Sequence, residues 1–284
     1  MHALYDVPAP AKLNLFLHIV GRRRSDGYHL LQSAFMLIDW QDTLHFELRP
    51  NAQLSREDLT IPLPADDLIL RAARLLQSHT GCPLGAHIAV HKQIPAQAGM
   101  GGGSSDAASC LLALNRLWNL GLRVDELAAI GVQLGADVPF FLHGHNAWVE
   151  GIGEKITPLQ LPPAQFVVIK PPVGLETAKI FAHPELRRNT KSATIDGLAR
   201  TPYGFGHNDL QAVAEQICPP VSQALHRLAA QGLQGKMTGS GSAVFALLPQ
   251  GQIWQQDPDL ADCQVRVCGN LEVHPLSGWA TSDN

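Results

Sequence analysis

The sequence predicts an α+β protein of two domains, an N-terminal α/β domain and a smaller C-terminal α+β domain, and three observations predict it. Every odd position from Ala9 to Ile19 in "APAKLNLFLHI" is apolar, the period-two pattern of a half-buried strand. Strand-like runs then alternate with apolar stripes at helical spacing, as in α/β units. The proline-rich stretch "TPLQLPPAQ" at 157–165 interrupts both patterns, dividing the 284 residues into 1–158 and 159–284.

Taken in order, the opening strand places Lys12 and Asn14 together on the face opposite its apolar positions. The tip "GRRRSDGYH" carries the turn signal Asp26-Gly27, and its three arginines read as solvated. Strands follow at "SAFMLIDW" and "TLHFELRP", separated by Gln41-Asp42. Asp66 or Asp67 caps a helix through "LILRAARLLQSHT" that Gly81 closes. The strand "AHIAVHKQI" runs into glycines, and "SSDAASCLLALNRLWN" restarts the chain as a helix. In it Ser104 or Ser105 is the cap, Asp106 lies in the first turn and Leu111, Leu114, Leu117 and Trp118 face the core. A helix over "VDELAAIGVQL" ends near Gly135, and Pro139 in the first turn of "ADVPFFLHG" puts Asp137 at a helix entrance. Beyond the boundary come strand "FVVIK", a helix from Thr177 to Phe181, and a loop poor in apolar residues from Pro184 to Gly206. Helices near 208–217 and 220–230 and strands "SAVFALL" and "CQVRV" complete the domain, with room for the last residues to pack back on the first domain.

Composition narrows the function. With 45% apolar and 16% charged residues the chain can build a core, and a net charge of −4 excludes the broad positive field of a nucleic-acid binder. No apolar run reaches the roughly 18 residues of a membrane span, and "MHALYDVPAP" lacks the flank and core of a signal peptide; a cytoplasmic protein with no membrane partner is expected. Five cysteines without CxxC spacing indicate neither a disulfide framework nor a zinc ribbon. His87 and His91 share a predicted strand about 13 Å apart, too far to share a metal, and His143 and His145 flank a loop glycine; all four read as structural or solvated.

The glycines of "IPAQAGMGGGSSDAAS" lie between a strand and a capped helix. Such a junction leaves backbone N–H groups unpaired at the helix start, where the macrodipole adds about half a positive charge. Bare backbone there lets phosphate oxygens approach the main chain, so a polyphosphate site is expected, with a flexible linker as the alternative. The pattern fits neither GxxxxGK[ST] nor GxGxxG. Lys92 is a candidate donor to the phosphates.

Together, "PAKLNLFLHIVGRRRSDGYH", "GMGGGSSDAAS", "LGADVPFFLHG" and "MTGSGSAVFAL" resemble the GHMP superfamily of small-molecule kinases from residue 8 to about 248. Within it the chain is most similar to the branch that phosphorylates a diphosphocytidyl sugar alcohol on the non-mevalonate route to isoprenoids. The resemblance implies a nucleotide-binding N-terminal domain, a site between the domains, ATP and Mg²⁺ as cofactors, and phosphorylation of a 2-hydroxyl. It assigns catalysis to Lys12 and Asp137. From the residues alone, a solvated strand lysine and a helix cap are equally open; with the family motifs, Asp137 becomes the base and Lys12 its positively charged partner. ATP falls to Lys92, Pro95, Ala96, Gln97, Ala98, Gly99, Met100, Gly101, Gly102, Gly103, Ser104 and Ser105. The acceptor falls to Asn14, Tyr28, His29, Thr177, Phe181, Gly239, Ser240 and Gly241. The metal ligands stay open, with Ser105 a candidate. Gln97 and Ala98 replace glycines usual in the family, and Asp106 adds a carboxylate that weakens ATP binding on this reading. The oligomer is left as monomer or homodimer. The alternatives are another GHMP kinase acting on homoserine, mevalonate or a sugar, and a non-catalytic nucleotide-binding protein on the same fold; a dinucleotide-dependent oxidoreductase fails on the loop pattern.

Overall fold

The computed structural model describes residues 1–281. The first half runs β1 (Ala3–Arg22), β2 (His29–Arg49), β3 (Leu54–Asp58), α1 (Leu68–Thr80), β4 (Gly85–His91), α2 (Gly102–Leu117), α3 (Val124–Gly131), α4 (Val138–His143), β5 (Ala147–Gly151) and β6 (Lys155–Pro158). The second half runs β7 (Gln165–Lys170), α5 (Thr177–Ala182), α6 (Ile195–Arg200), α7 (Gln211–Ile217), α8 (Pro219–Ala230), β8 (Lys236–Met237), β9 (Val244–Leu248) and β10 (Gln264–Gly269).

β2 organises the first sheet. It pairs antiparallel with β1 along one edge, and on the other with β5 through residues 31–35 and with β4 through residues 43–49. β3 joins β4 in parallel and β6 joins β5 antiparallel. The second sheet is antiparallel in the order β10-β7-β9-β8. The two strands expected on either side of Gln41-Asp42 are one: Asp42 is fully buried within β2, where its carboxylate accepts the N–H groups of Gln93 and Ile94 and so replaces the turn with a long-range tether.

The first sheet is covered on both faces. Ala9, Leu37, Leu44 and Phe46 pack with α1 and α2, while Ala11, Leu13, Leu15 and Met36 pack with Phe166, Val168 and Phe245 of the second sheet. The odd positions of β1 therefore do not share one face, as their spacing suggested. Register breaks between Pro10 and Lys12, where β2 runs four residues from Gln41 to Leu37 against two of β1, and across this irregularity Ala11 packs on the side opposite to Ala9. Lys12 and Asn14 are carried to the helical side as a result, opposite Leu37 and Phe35.

The helix ends follow local chemistry. Asp67 caps α1 by accepting from Leu70 N, and Gly81 closes it at φ +65°. For α2 the expectation fails: it begins at Gly102 with Gly101 as cap, and Ser105 is already inside the first turn. The segment expected as loop from 184 to 206 contains α6, because Thr194 caps it through Gly197 N and Leu198 anchors it in the core. After β10 the chain returns to the first half, where Leu276 and Ala280 join the core beneath α2 and α4. No helix among the described residues is long and apolar enough to cross a membrane.

Candidate active site

β1 and α4 bring Lys12 and Asp137 together, Nζ to Oδ2 3.5 Å apart. Lys12 Nζ also donates to Asn14 Oδ1 at 2.5 Å and lies 4.2 Å from the centre of the Phe35 ring. Asn14 is held by a relay. Its Nδ2 donates to Ser33 Oγ at 2.9 Å, Ser33 donates to the Phe16 carbonyl, and Asn14 N donates to Thr238 Oγ1 at 2.9 Å. An amide whose nitrogen is engaged by Ser33 must turn its oxygen to the lysine. Burial lowers the Lys12 pKa and the Asp137 carboxylate opposes that shift. Asp137 occupies the N-cap position of α4 yet makes no side-chain capping bond, and its side chain stays 31% exposed. The carboxylate faces the lysine instead of the helix amides.

The glycine loop is stitched to its surroundings by its backbone. Lys12 N donates to Met100 O at 2.9 Å, Ser242 N to Gln97 O at 3.1 Å and Ala243 N to Ala98 O at 3.2 Å. Gly99 (φ +73°) is bare for a reason other than phosphate: a Cβ there would stand 2.2 Å from Thr238 O, and one on Gly239 would stand 2.6 Å from Gly99 O. A Cβ on Gly101 would meet the Phe141 ring at 3.0 Å, and one on Gly102 would meet Ile94 at the same distance. Gly103 alone of these is exposed, with only Leu68 Cδ1 3.4 Å from its would-be Cβ. Most of the bareness thus serves protein packing, and the approach of a ligand to main chain is open mainly at the start of α2. Gln97 adopts φ +51°, the left-handed region that favours glycine. Ala98 and Met100 have buried side chains.

Lys92 does not stand free to meet phosphate. Its ammonium bonds the carboxylates of both Asp42 and Asp106 and is buried with them. Asp106 is correspondingly not a bare charge beside the loop, being paired with Lys92. Burial raises its pKa against the pull of Lys92, and its Oδ1 is buried without a partner among the described residues. The Ser105 hydroxyl donates to Pro10 O at 2.7 Å and is fully buried, so it is not turned toward a metal.

Two cavities meet at this centre. One of about 650 Å³ is lined by Lys92, Pro95, Ala96, Gln97, Gly101–Ser104 and Asp106, with Leu63 and Leu68 as apolar wall. The other, about 200 Å³, is lined by Lys12, Asn14, Asp137, Phe35, Phe181 and Gly239. Gly99, Thr177 and Ser240 line both, and Thr177 Oγ1 lies 2.6 Å from Ser240 Oγ. Gly241 borders the larger one. Tyr28 and His29 line neither: Tyr28 is 61% exposed, with the Arg23 guanidinium 5.7 Å from its ring centre, while the His29 ring lies 5.0 Å from Phe181. Sequence reasoning missed Ser33, Thr238 and Asp42, whose roles come from partners distant in the chain, and Arg188, which bonds four nearby carbonyls and the distant His29. It also set aside Arg22, whose Nε donates to His29 Nε2. No group of three metal-ligating side chains occurs among the described residues.

Residues 67–145 match the model of the GHMP kinases N terminal domain, and residues 186–262 match GHMP kinases C terminal. Two proteins named 4-diphosphocytidyl-2-C-methyl-D-erythritol kinase, from Variovorax paradoxus and Albidiferax ferrireducens, are each 63% identical to the chain. The alignments cover 99% and 100% of it and 100% and 98% of theirs. A crystal structure of 4-(cytidine 5'-diphospho)-2C-methyl-D-erythritol kinase superposes with a TM-score of 0.76 at 33% identity, over 94% of this chain and 98% of that one. A homoserine kinase from Cytophaga hutchinsonii shares the fold with a TM-score of 0.66 at 14% identity, over 96% of this chain and 95% of its own.

Proposed function

The chain belongs to the GHMP kinase family, and we propose on that footing that it transfers the γ-phosphoryl group of ATP to the 2-hydroxyl of 4-diphosphocytidyl-2-C-methyl-D-erythritol. The products are the 2-phosphate and ADP, a step on the non-mevalonate route to isoprenoid precursors. One observation carries the mechanism: Lys12 and Asp137 line the smaller cavity, which shares Gly99, Thr177 and Ser240 with the larger.

ATP occupies the larger cavity with its phosphates toward the amides at the start of α2, and the acceptor alcohol enters the smaller. An alcohol of pKa about 16 is a poor nucleophile, and a carboxylate placed to take its proton contributes about 10²–10⁴-fold. Asp137 takes that proton as the oxygen–phosphorus bond forms and ADP departs with the electrons of the broken bond. Lys12, fixed by Asn14, sets its ammonium against the Asp137 carboxylate and stands over the charge that develops on the transferring group. Mg²⁺, when bound, neutralises charge on the β- and γ-phosphates. The free Oδ1 of Asp106 in the nucleotide cavity fits it, and Ser105, turned to Pro10, does not.

The test is ADP formation from ATP with the diphosphocytidyl sugar alcohol, run beside homoserine, mevalonate and simple sugars. Turnover confined to the first compound is the expected result. Turnover confined to one of the others would displace this assignment.

A further inference from the structure

Arg188, between α5 and α6, has no N–H left for a ligand. Nη1 donates to Pro184 O at 3.4 Å and Leu186 O at 2.9 Å, Nη2 to Phe181 O at 3.2 Å and His183 O at 2.7 Å, and Nε to His29 Nε2 at 3.2 Å. These five bonds use all five guanidinium hydrogens. One side chain thereby joins Phe181, a wall of the acceptor cavity, to His29 at the start of β2. Arg22 Nε donates to the same His29 Nε2 at 3.3 Å.

A ring nitrogen that accepts from two guanidinium groups must carry a lone pair, so the neutral imidazole has its proton on Nδ1. Burial, Arg22 and Arg188 all lower the His29 pKa and keep the ring neutral. No hydrogen bond engages Nδ1 among the described residues, which leaves an N–H donor beside the Phe181 ring.

We propose that Arg188 is a positioning residue for nucleobase selection: it fixes His29 as a donor through Nδ1 and holds Phe181 beside it, so that the pair reads ring position 3 of a cytosine. Cytosine accepts a hydrogen bond at N3, whereas uracil carries a hydrogen there and would set donor against donor. The inference rests on the acceptor being a diphosphocytidyl compound and names the residue that sets its base preference.

Nitrogen-15 NMR of the wild-type protein, with the His29 signal assigned by its loss in His29→Asn, reads the tautomer directly. Protonated Nδ1 with unprotonated Nε2 is expected, and the opposite tautomer would overturn the proposal. In kinetics, Arg188→Met is expected to raise KM for the cytidine substrate about tenfold with kcat retained, and to lower discrimination against its uridine counterpart by a similar factor. Arg188→Lys, with three donors for five acceptors, should restore neither. Unchanged KM and discrimination in Arg188→Met, or equal use of cytidine and uridine substrates by the wild-type protein, would also overturn it. Absence of ADP formation from both substrates in the wild-type protein would instead sink the functional reading, and the tautomer would still decide the Arg188 arrangement.

Discussion

Lys12 and Asp137 are an unequal pair, an ammonium almost wholly out of water facing a carboxylate that still touches it. The ammonium depends on its neighbours for its charge, since burial alone would favour the neutral amine. The carboxylate is wet enough to pass on a proton. Asp137→Asn keeps the shape and removes the base, so kcat is expected to fall about 10²-fold or more while ADP still binds. Coupled ADP detection with an ADP titration checks both, and a near-normal rate would exclude Asp137 as base. The same attention to partners changes the meaning of Lys92 and Asp106. Read singly, they were a phosphate donor and a repulsive charge. Together with Asp42 they form a buried group of one cation and two acids that ties α2 to the central strand. Neither residue's neighbours are visible along the chain: Asp42 is 50 residues from Lys92.

At the level of elements, the glycine loop separates into positions that serve the fold and a position that serves the ligand. Gly99→Ala places a methyl group in a left-handed residue and against the Thr238 carbonyl, so the 97–101 and 238–243 loops must part. Its urea midpoint is expected to fall by the equivalent of about 1–3 kcal/mol, with ADP affinity lost alongside. Gly103→Ala meets only the end of a flexible leucine and gains helix propensity of roughly 1 kcal/mol, so stability should hold or rise while ADP binding weakens. Equal losses of stability in the two variants would refute this division. The sequence made the loop itself legible, because strand, glycines and helix are neighbours in the chain, and Asp67 and Gly81 marked α1 by purely local chemistry. It misplaced the start of α2 because the side chains that a Cβ on Gly101 would meet, Phe141 and Lys12, are distant in the chain. It also gave the odd residues of β1 one face, since a register break near Pro10 leaves no trace in apolar spacing.

Across the whole molecule, the C-terminal segment returns from the second sheet to brace the helix that carries Asp137 at its entrance. Asn270 bridges to Ile38, Val273 to His145, and Val124 N donates to Thr281 O at 3.0 Å. His274 sits where this segment crosses the end of α4: its backbone N donates to Gly144 O at 2.7 Å, and its Nδ1 accepts from Leu276 N at 3.1 Å. With Nδ1 accepting, the proton lies on Nε2, which is buried without a partner among the described residues. Burial pushes the His274 pKa down from 6.5 to about 4. The unfolded chain therefore binds a proton that the folded chain refuses between those two values, and stability falls as pH drops through that window while staying flat with respect to this group above it. The full effect is about 3 kcal/mol, at a limiting slope of about 1.4 kcal/mol per pH unit. His18, whose pKa burial also lowers, acts in the same direction. Urea unfolding at several pH values in the wild-type protein and in His274→Gln, which keeps an acceptor for Leu276 N, isolates the contribution. The variant should show a shallower loss by close to one proton, and superimposable pH profiles would show that the segment closes over α4 without excluding the charged imidazole.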